Sequence, residues 1–225
     1  MMKERGICML TKRKELRRIA GIVVAAGLSK RMGLFKPLMP YTHGSMIETT
    51  VTKLQQAGTD KIILVTGYRS AEIAERFLHA ENVLLVKNEQ YLYGDMLESV
   101  QLGLKEAVDC DAAYVMPGDM PAIAVETFLK VRHSMEQTGA KVVFPTVAGK
   151  KKHPPFIRNA CFSTICKFRG EGGLRVILDK FSAETARVPV EDIGCTLDAD
   201  TWKDYMRLLE YQKQRTILAM HEQVT

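Results

Sequence analysis

No apolar run in this chain approaches the ~18–20 residues that a helix needs to cross a bilayer, so a membrane-spanning function is not expected. Its five cysteines (Cys8, Cys110, Cys161, Cys166 and Cys195) are odd in number and form no CxxC pair. No histidine stands near them at zinc spacing, which argues against a disulfide framework and a structural metal and for a reducing, cytoplasmic compartment. The sequence also lacks GxxxxGK[ST] and GxGxxG, the phosphate loops of P-loop and dinucleotide folds. Repeats, low-complexity blocks and an interdomain linker are absent as well. Excess positive charge is scarce outside one end: the formal charge is +6, and residues 1–18 carry seven Lys or Arg against Glu4 and Glu15. The remainder is nearly neutral, so the spread basic surface of a nucleic-acid reader is not expected.

What remains is an ordinary globular composition, 46% hydrophobic over 225 residues, enough for one large core. We divide it into a basic, solvated N-terminal extension, 1–18, and a single domain, 19–225. The basic segment followed by IAGIVVAAGL imitates a signal peptide, but cleavage near Ala26 would cut through the loop discussed next. From Ile19 onward strand-like and helix-like patterns alternate. IAGIVVA, KIILVTG, AAYVM and KVVFP read as buried strands. SMIETTVTKLQQAG, SAEIAERFLHA with Ser70 as N-cap, MLESVQLGLKEAV and AVETFLKVRHSMEQTG read as helices between them. That order predicts an α/β fold, a mostly parallel sheet flanked by helices. Between Thr146 and Gly173 the pattern degrades, and we expect an excursion over the active face with an antiparallel edge. TARVPV is read as a strand and the segment from Asp200 as closing helices.

Ligands of open parallel sheets sit at the carboxyl ends of strands, and three loops there are chemically unusual. AAGLSKRMGLFK places Gly27 and Gly33, which allow close backbone approach, beside the cations Arg31 and Lys36, as a phosphate cradle requires; a solvated surface loop is the plain alternative. VMPGDMPAI fixes Asp119 between two prolines at the sheet rim, fit for a hard cation or simply a turn. TLDADTWKDY sets Asp198 and Asp200 on one face if extended, with helix capping by Asp200 or Thr201 as the competitor.

AAGxSxRMGxxK, PGDMP and DxDTxxDY, in that order, resemble the MobA-like nucleotidyltransferases and, among them, the molybdenum cofactor cytidylyltransferases. The resemblance spans about Ile19 to Leu209 and takes in VTGY (Val65–Tyr68), MLESVQLGL, HPPF (His153–Phe156) and GLR (Gly173–Arg175). It implies a three-layer α/β/α, Rossmann-like fold of the nucleotide-diphospho-sugar transferase type. It implies transfer of CMP from CTP to an anionic acceptor, the molybdopterin cofactor, with loss of pyrophosphate, and passage of the product to a molybdoenzyme or its chaperone. Ala25, Ala26 and Gly27 would contact the nucleoside, with Ser99 at base or ribose. Arg31 and Lys36 would hold the triphosphate, Asp119 and Asp200 a Mg²⁺ ion with Asp198 as a third candidate, and His153 the acceptor. Ala25-Ala26-Gly27 is the form associated with cytidine rather than guanosine transfer.

Departures cluster on the acceptor side: Lys152 replaces the usual glycine before His153, Asp95 is inserted after Gly94, and Trp202 replaces a proline. A transferase for sugar or alcohol phosphates is therefore an open alternative. Asp198-Ala199-Asp200 also imitates the DxD element of glycosyltransferases, and a regulator that binds nucleotide without turnover is the third rival.

Overall fold

The computed structural model describes residues 15–29 and 32–222. Residues 1–14, most of the expected extension, and Lys30 and Arg31 lie outside them. Ten strands and seven α-helices follow in chain order among the described residues: β1 (Ile19–Ala25), β2 (Pro40–Tyr41), β3 (Gly44–Ser45), α1 (Met46–Gln56), β4 (Lys61–Thr66), α2 (Ser70–Arg76), β5 (Val83–Lys87), α3 (Met96–Glu106), β6 (Ala112–Pro117), α4 (Val125–Thr138), β7 (Val142–Val147), β8 (Lys150–Lys151), β9 (Phe156–Arg158), α5 (Phe162–Lys167), α6 (Gly173–Asp179), β10 (Thr185–Pro189) and α7 (Trp202–Glu222).

The main sheet runs β10-β7-β9-β6-β1-β4-β5, with β8 paired to β7. β1 pairs in parallel with both β4 and β6, so Ala25 lies opposite Thr66 and Val24 opposite Pro117. The chain builds outward from β1 through β4 to β5, then crosses to β6 on the other side. Strand order reverses at β1, which opens a crevice beyond its carboxyl end.

Continuous apolar strands arise because both sheet faces are covered. Ile19 and Val23 point into a core with Ile47, Leu54 and Phe128, while Ala20 and Ile22 point into one with Val100, Leu104 and Ile177. A third cluster joins Met39, Tyr41 and Met46 to Leu197, Tyr205 and Leu208, fastening α7 to the β2–β3 hairpin. Leu16 is also buried, and Arg17 and Arg18 donate their backbone N–H groups to Asp111. Leu16, Arg17 and Arg18, expected in the solvated extension, are therefore tied to the domain.

Two local expectations change, and one left open is decided. The antiparallel strand expected at an edge is interior: β9 runs antiparallel between β6 and β7. Phe156 on it stacks on Tyr114 with ring centroids 4.2 Å apart, and Tyr114 donates its hydroxyl to the Phe128 carbonyl, so the aromatic packing carries a strand too short for a periodic signal. Ser70 is not the N-cap of α2; Arg69 holds that place in the left-handed region, without a side-chain cap. At α7 Thr201 is the cap, exchanging hydrogen bonds with Asp204, which leaves Asp200 for another partner.

Candidate active site

The loop after β1 turns back at Ser29, whose φ is 52°. Its hydroxyl accepts a hydrogen bond from the Lys36 N–H at 3.2 Å. Lys36 then opens a short 3-10 turn, Lys36–Leu38, and is only 8% exposed. This is not the solvated loop cation that composition alone allowed.

Its ammonium donates to Asp119 at 3.2 Å and to Asp200 at 2.7 Å. Asp119 is delivered by the turn after β6, tied to β1 by the Gly118 N–H on the Val24 carbonyl. Asp200 is delivered by the segment ahead of α7. That segment is anchored by Asp192, which accepts from the Ala124 and Gly194 N–H groups and from Thr127. Burial works against the charge on Lys36, but the hydrogen bonds and charges of Asp200 and Asp119 outweigh it and hold its pKa above the ordinary lysine value. Asp198, exposed overall, has its pKa raised by partial loss of water and then by the charges of Asp200 and Asp119. Among the described residues, negative charge is thus in excess around Lys36.

Among the described residues, no group of three or more His, Cys, Asp or Glu side chains is arranged to hold a metal. Two carboxylates converging on one cation do fit a hard divalent ion, which takes one or two such ligands and completes its shell with phosphate oxygens and water.

Beside this triad lies a cavity of about 320 Å³, lined by Ala25, Ala26, Gly27, Lys36, Ser99 and Asp119 among others. Ser99, at the buried face of α3, accepts a hydrogen bond from the Asn88 amide at 3.0 Å. Asn88 and Tyr91 line the same space and were not anticipated; a polar residue directly after the half-exposed strand β5 carries no mark in sequence. Gly67 packs behind two of the lining residues so tightly that a Cβ there would lie 2.5 Å from Tyr91 Cβ and 2.7 Å from the Ala26 carbonyl oxygen. The inserted Asp95 is the N-cap of α3, accepting from the Leu97 and Glu98 N–H groups.

A second cavity, about 1130 Å³, meets the first at Asp95 and Met96 and extends past His153, Lys150–Lys152 and α6. His153 lies at its wall with Nδ1 buried and without a hydrogen-bond partner. Burial lowers its pKa below the ordinary histidine value, opposed by a backbone hydrogen bond with Val115 and by the charge of Asp119. Burial therefore favours the neutral form of the ring. The structure thus brings Ala25, Ala26, Gly27, Lys36, Ser99 and Asp119 to one crevice, with Asp200 joined to it through Lys36, and His153 to its neighbour, with Arg31 outside the described residues.

A nucleotide-sized crevice at the reversal point of a parallel sheet, rimmed by a lysine and two carboxylates, defines a nucleotide-handling α/β enzyme. The MobA-like NTP transferase domain matches residues 21–188. The chain is 31% identical over 192 residues to the molybdenum cofactor cytidylyltransferase of Escherichia coli K12, covering 84% of this chain and 94% of that protein. Among solved structures, Rv0371c of Mycobacterium tuberculosis H37Rv superposes with a TM-score of 0.74 at 26% identity, over 86% of this chain and 99% of that one. The same protein has been solved as a complex with manganese, with a TM-score of 0.67. A nucleotidyl transferase from Methanothermobacter thermautotroptrophicus gives 0.75 at 22% identity over 88% and 99% of the two chains. The chain belongs to the MobA-like NTP transferase family and is a nucleotidyltransferase. The glycosyltransferase reading of Asp198–Asp200 is set aside.

Proposed function

We propose that the protein transfers CMP from CTP to an anionic acceptor, the molybdopterin cofactor, and releases pyrophosphate in a Mg²⁺-dependent reaction. The observation that carries this reading is the convergence of Lys36, Asp119 and Asp200, drawn from three distant segments, on the rim of the cavity formed by Ala25–Gly27. An acceptor phosphate oxygen attacks the α-phosphorus, the α–β anhydride bond breaks, and pyrophosphate leaves with the bonding pair. A phosphate nucleophile is already ionised at neutral pH, so no general base is required. The work of the protein is to position the reactants and to meet the charge that develops.

In this scheme Ala25, Ala26 and Gly27 present backbone to the nucleoside, and Ser99 fixes Asn88 against it. Asp119 and Asp200 would hold the divalent cation, which supplies neutralisation of phosphate charge when bound. Lys36 exchanges partners, turning from the carboxylates to the triphosphate, and Arg31 assists from the same loop. His153, on the wall of the larger cavity, orients the acceptor. The test is CTP-dependent pyrophosphate release in the presence of molybdopterin and Mg²⁺. Asp119→Ala is expected to lower the rate about 10²-fold or more; full activity in that variant refutes the assignment.

A further inference from the structure

The larger cavity is electrically uneven along its length. At the end shared with the nucleotide crevice stands Asp95, and Asp198 and His153 on the same lining both feel the charge of Asp119. Toward the β10 edge of the sheet, away from β1, Lys151 donates to Asp179 at 2.9 Å, and Arg175 and Arg187 also act on that carboxylate, which is held below the usual carboxylate range first by the Lys151 hydrogen bond. Three cations around one half-exposed carboxylate leave positive charge in excess there.

The placement is built into the backbone. Lys150 and Lys151 form β8, paired with Val147 and Thr146 through a two-residue turn at Ala148 and Gly149, whose φ values of 48° and 75° are the left-handed pair of a type I′ hairpin. The Lys151 ammonium also lies 4.9 Å from the centre of the Phe144 ring, which limits its wandering. Arg175 comes from α6 and Arg187 from β10, so separate elements aim their cations at one place.

We propose that Lys151, Arg175 and Arg187 form an anion subsite at the end of the acceptor cavity farthest from the nucleotide, so that the acceptor is an elongated molecule with two separated anionic groups, one reacting and one held here. This rests on the reading of the larger cavity as the acceptor site. Guanidinium groups suit the recognition of phosphate or carboxylate oxygens. The distal group would set acceptor choice, while the chemistry at the α-phosphorus would be unchanged.

The test uses isothermal titration of the full chain in excess non-hydrolysable CTP analogue and Mg²⁺. The titrants are unbranched alkane-α,ω-diol bisphosphates of increasing length and the corresponding monophosphates. At one length the bisphosphate is expected to bind about tenfold more tightly than its monophosphate. Lys151→Gln/Arg187→Gln should abolish that advantage while leaving monophosphate and CTP-analogue affinity in place. Arg175→Gln, at an exposed helical position, should reduce it on its own. No length preference, a preference that survives the double variant, or no binding of any titrant overturns the subsite. If the preference behaves as expected but CTP yields no pyrophosphate with any acceptor, the subsite stands and the cytidylyl-transfer reading fails.

Discussion

Replacing Lys36 with methionine keeps the length of the side chain and removes the cation between Asp119 and Asp200. Contacts of 3.2 and 2.7 Å correspond to a gross attraction of about 5–6 kcal/mol each at an effective dielectric of ~20. Most of that replaces hydration lost when the groups came together. Breaking a fully buried pair by deleting one partner costs about 3–5 kcal/mol. Here the side chains of Asp119 and Asp200 retain 19% and 33% exposure, so solvent screens part of the exposed negative charge, and the expected loss is about 2 kcal/mol. The assay is urea denaturation at pH 7, with and without millimolar Mg²⁺ or Mn²⁺. A divalent ion that binds only the folded state stabilises it by mass action. Because the variant offers two carboxylates with the ammonium removed, it should gain more stability from the metal than the wild type does, while pyrophosphate release falls. A variant as stable as the wild type, and no more responsive to divalent ions, would refute both the energetic role of Lys36 and the assignment of the carboxylates to a cation.

Lys53 donates to the Ile123 carbonyl at 2.8 Å, and its pKa is lowered to about 8, first by burial and then by the charge of Arg215, against the opposing pull of Asp192, Glu126 and Cys195. Below pH 8 the folded and unfolded chains both hold the proton and the burial cost is fully present. Between about 8 and 10.5 only the unfolded chain holds it, so stability should rise with pH, by up to about 3 kcal/mol; Lys53→Met should flatten that rise in denaturation curves measured across this range. Phe156 is fully buried against Tyr114, and Phe156→Ala is expected to cost about 3–5 kcal/mol in urea midpoint measurements. Gly67→Ala forces a Cβ to 2.5 Å from Tyr91 Cβ. Calorimetry should show a loss of CTP-analogue affinity of about tenfold, on the order of 1.4 kcal/mol; unchanged affinity would place the base elsewhere.

Much of the architecture could be read in advance because its signals are local. IAGIVVA is uniformly apolar since β1 is covered on both faces, and Met46–Gln56 shows its stripe of Ile47, Val51 and Leu54, all buried. The signals failed where structure depends on distant partners. Phe156–Arg158 is only three residues long, and its place in the middle of the sheet is set by Tyr114 and the flanking strands. Ser70 has the chemistry of a cap, but the left-handed Arg69 before it takes the position. At the site, Lys36, Asp119 and Asp200 could each be singled out by residue type and loop context. That one ammonium joins carboxylates 83 and 164 positions away is a fact of folding that no spacing rule encodes. Asn88 and Tyr91 entered the crevice for the same reason.

The docking of α7 has a consequence for the position of Asp200. Tyr205 donates its hydroxyl to the Pro40 carbonyl, and Tyr41 donates to Gln212, so the helix clamps the hairpin that follows the Lys36 turn. Asp200 sits immediately upstream of that clamp. Fraying of the first turns of α7 would therefore shift Asp200 away from Lys36 while leaving Asp119 in place on the turn after β6.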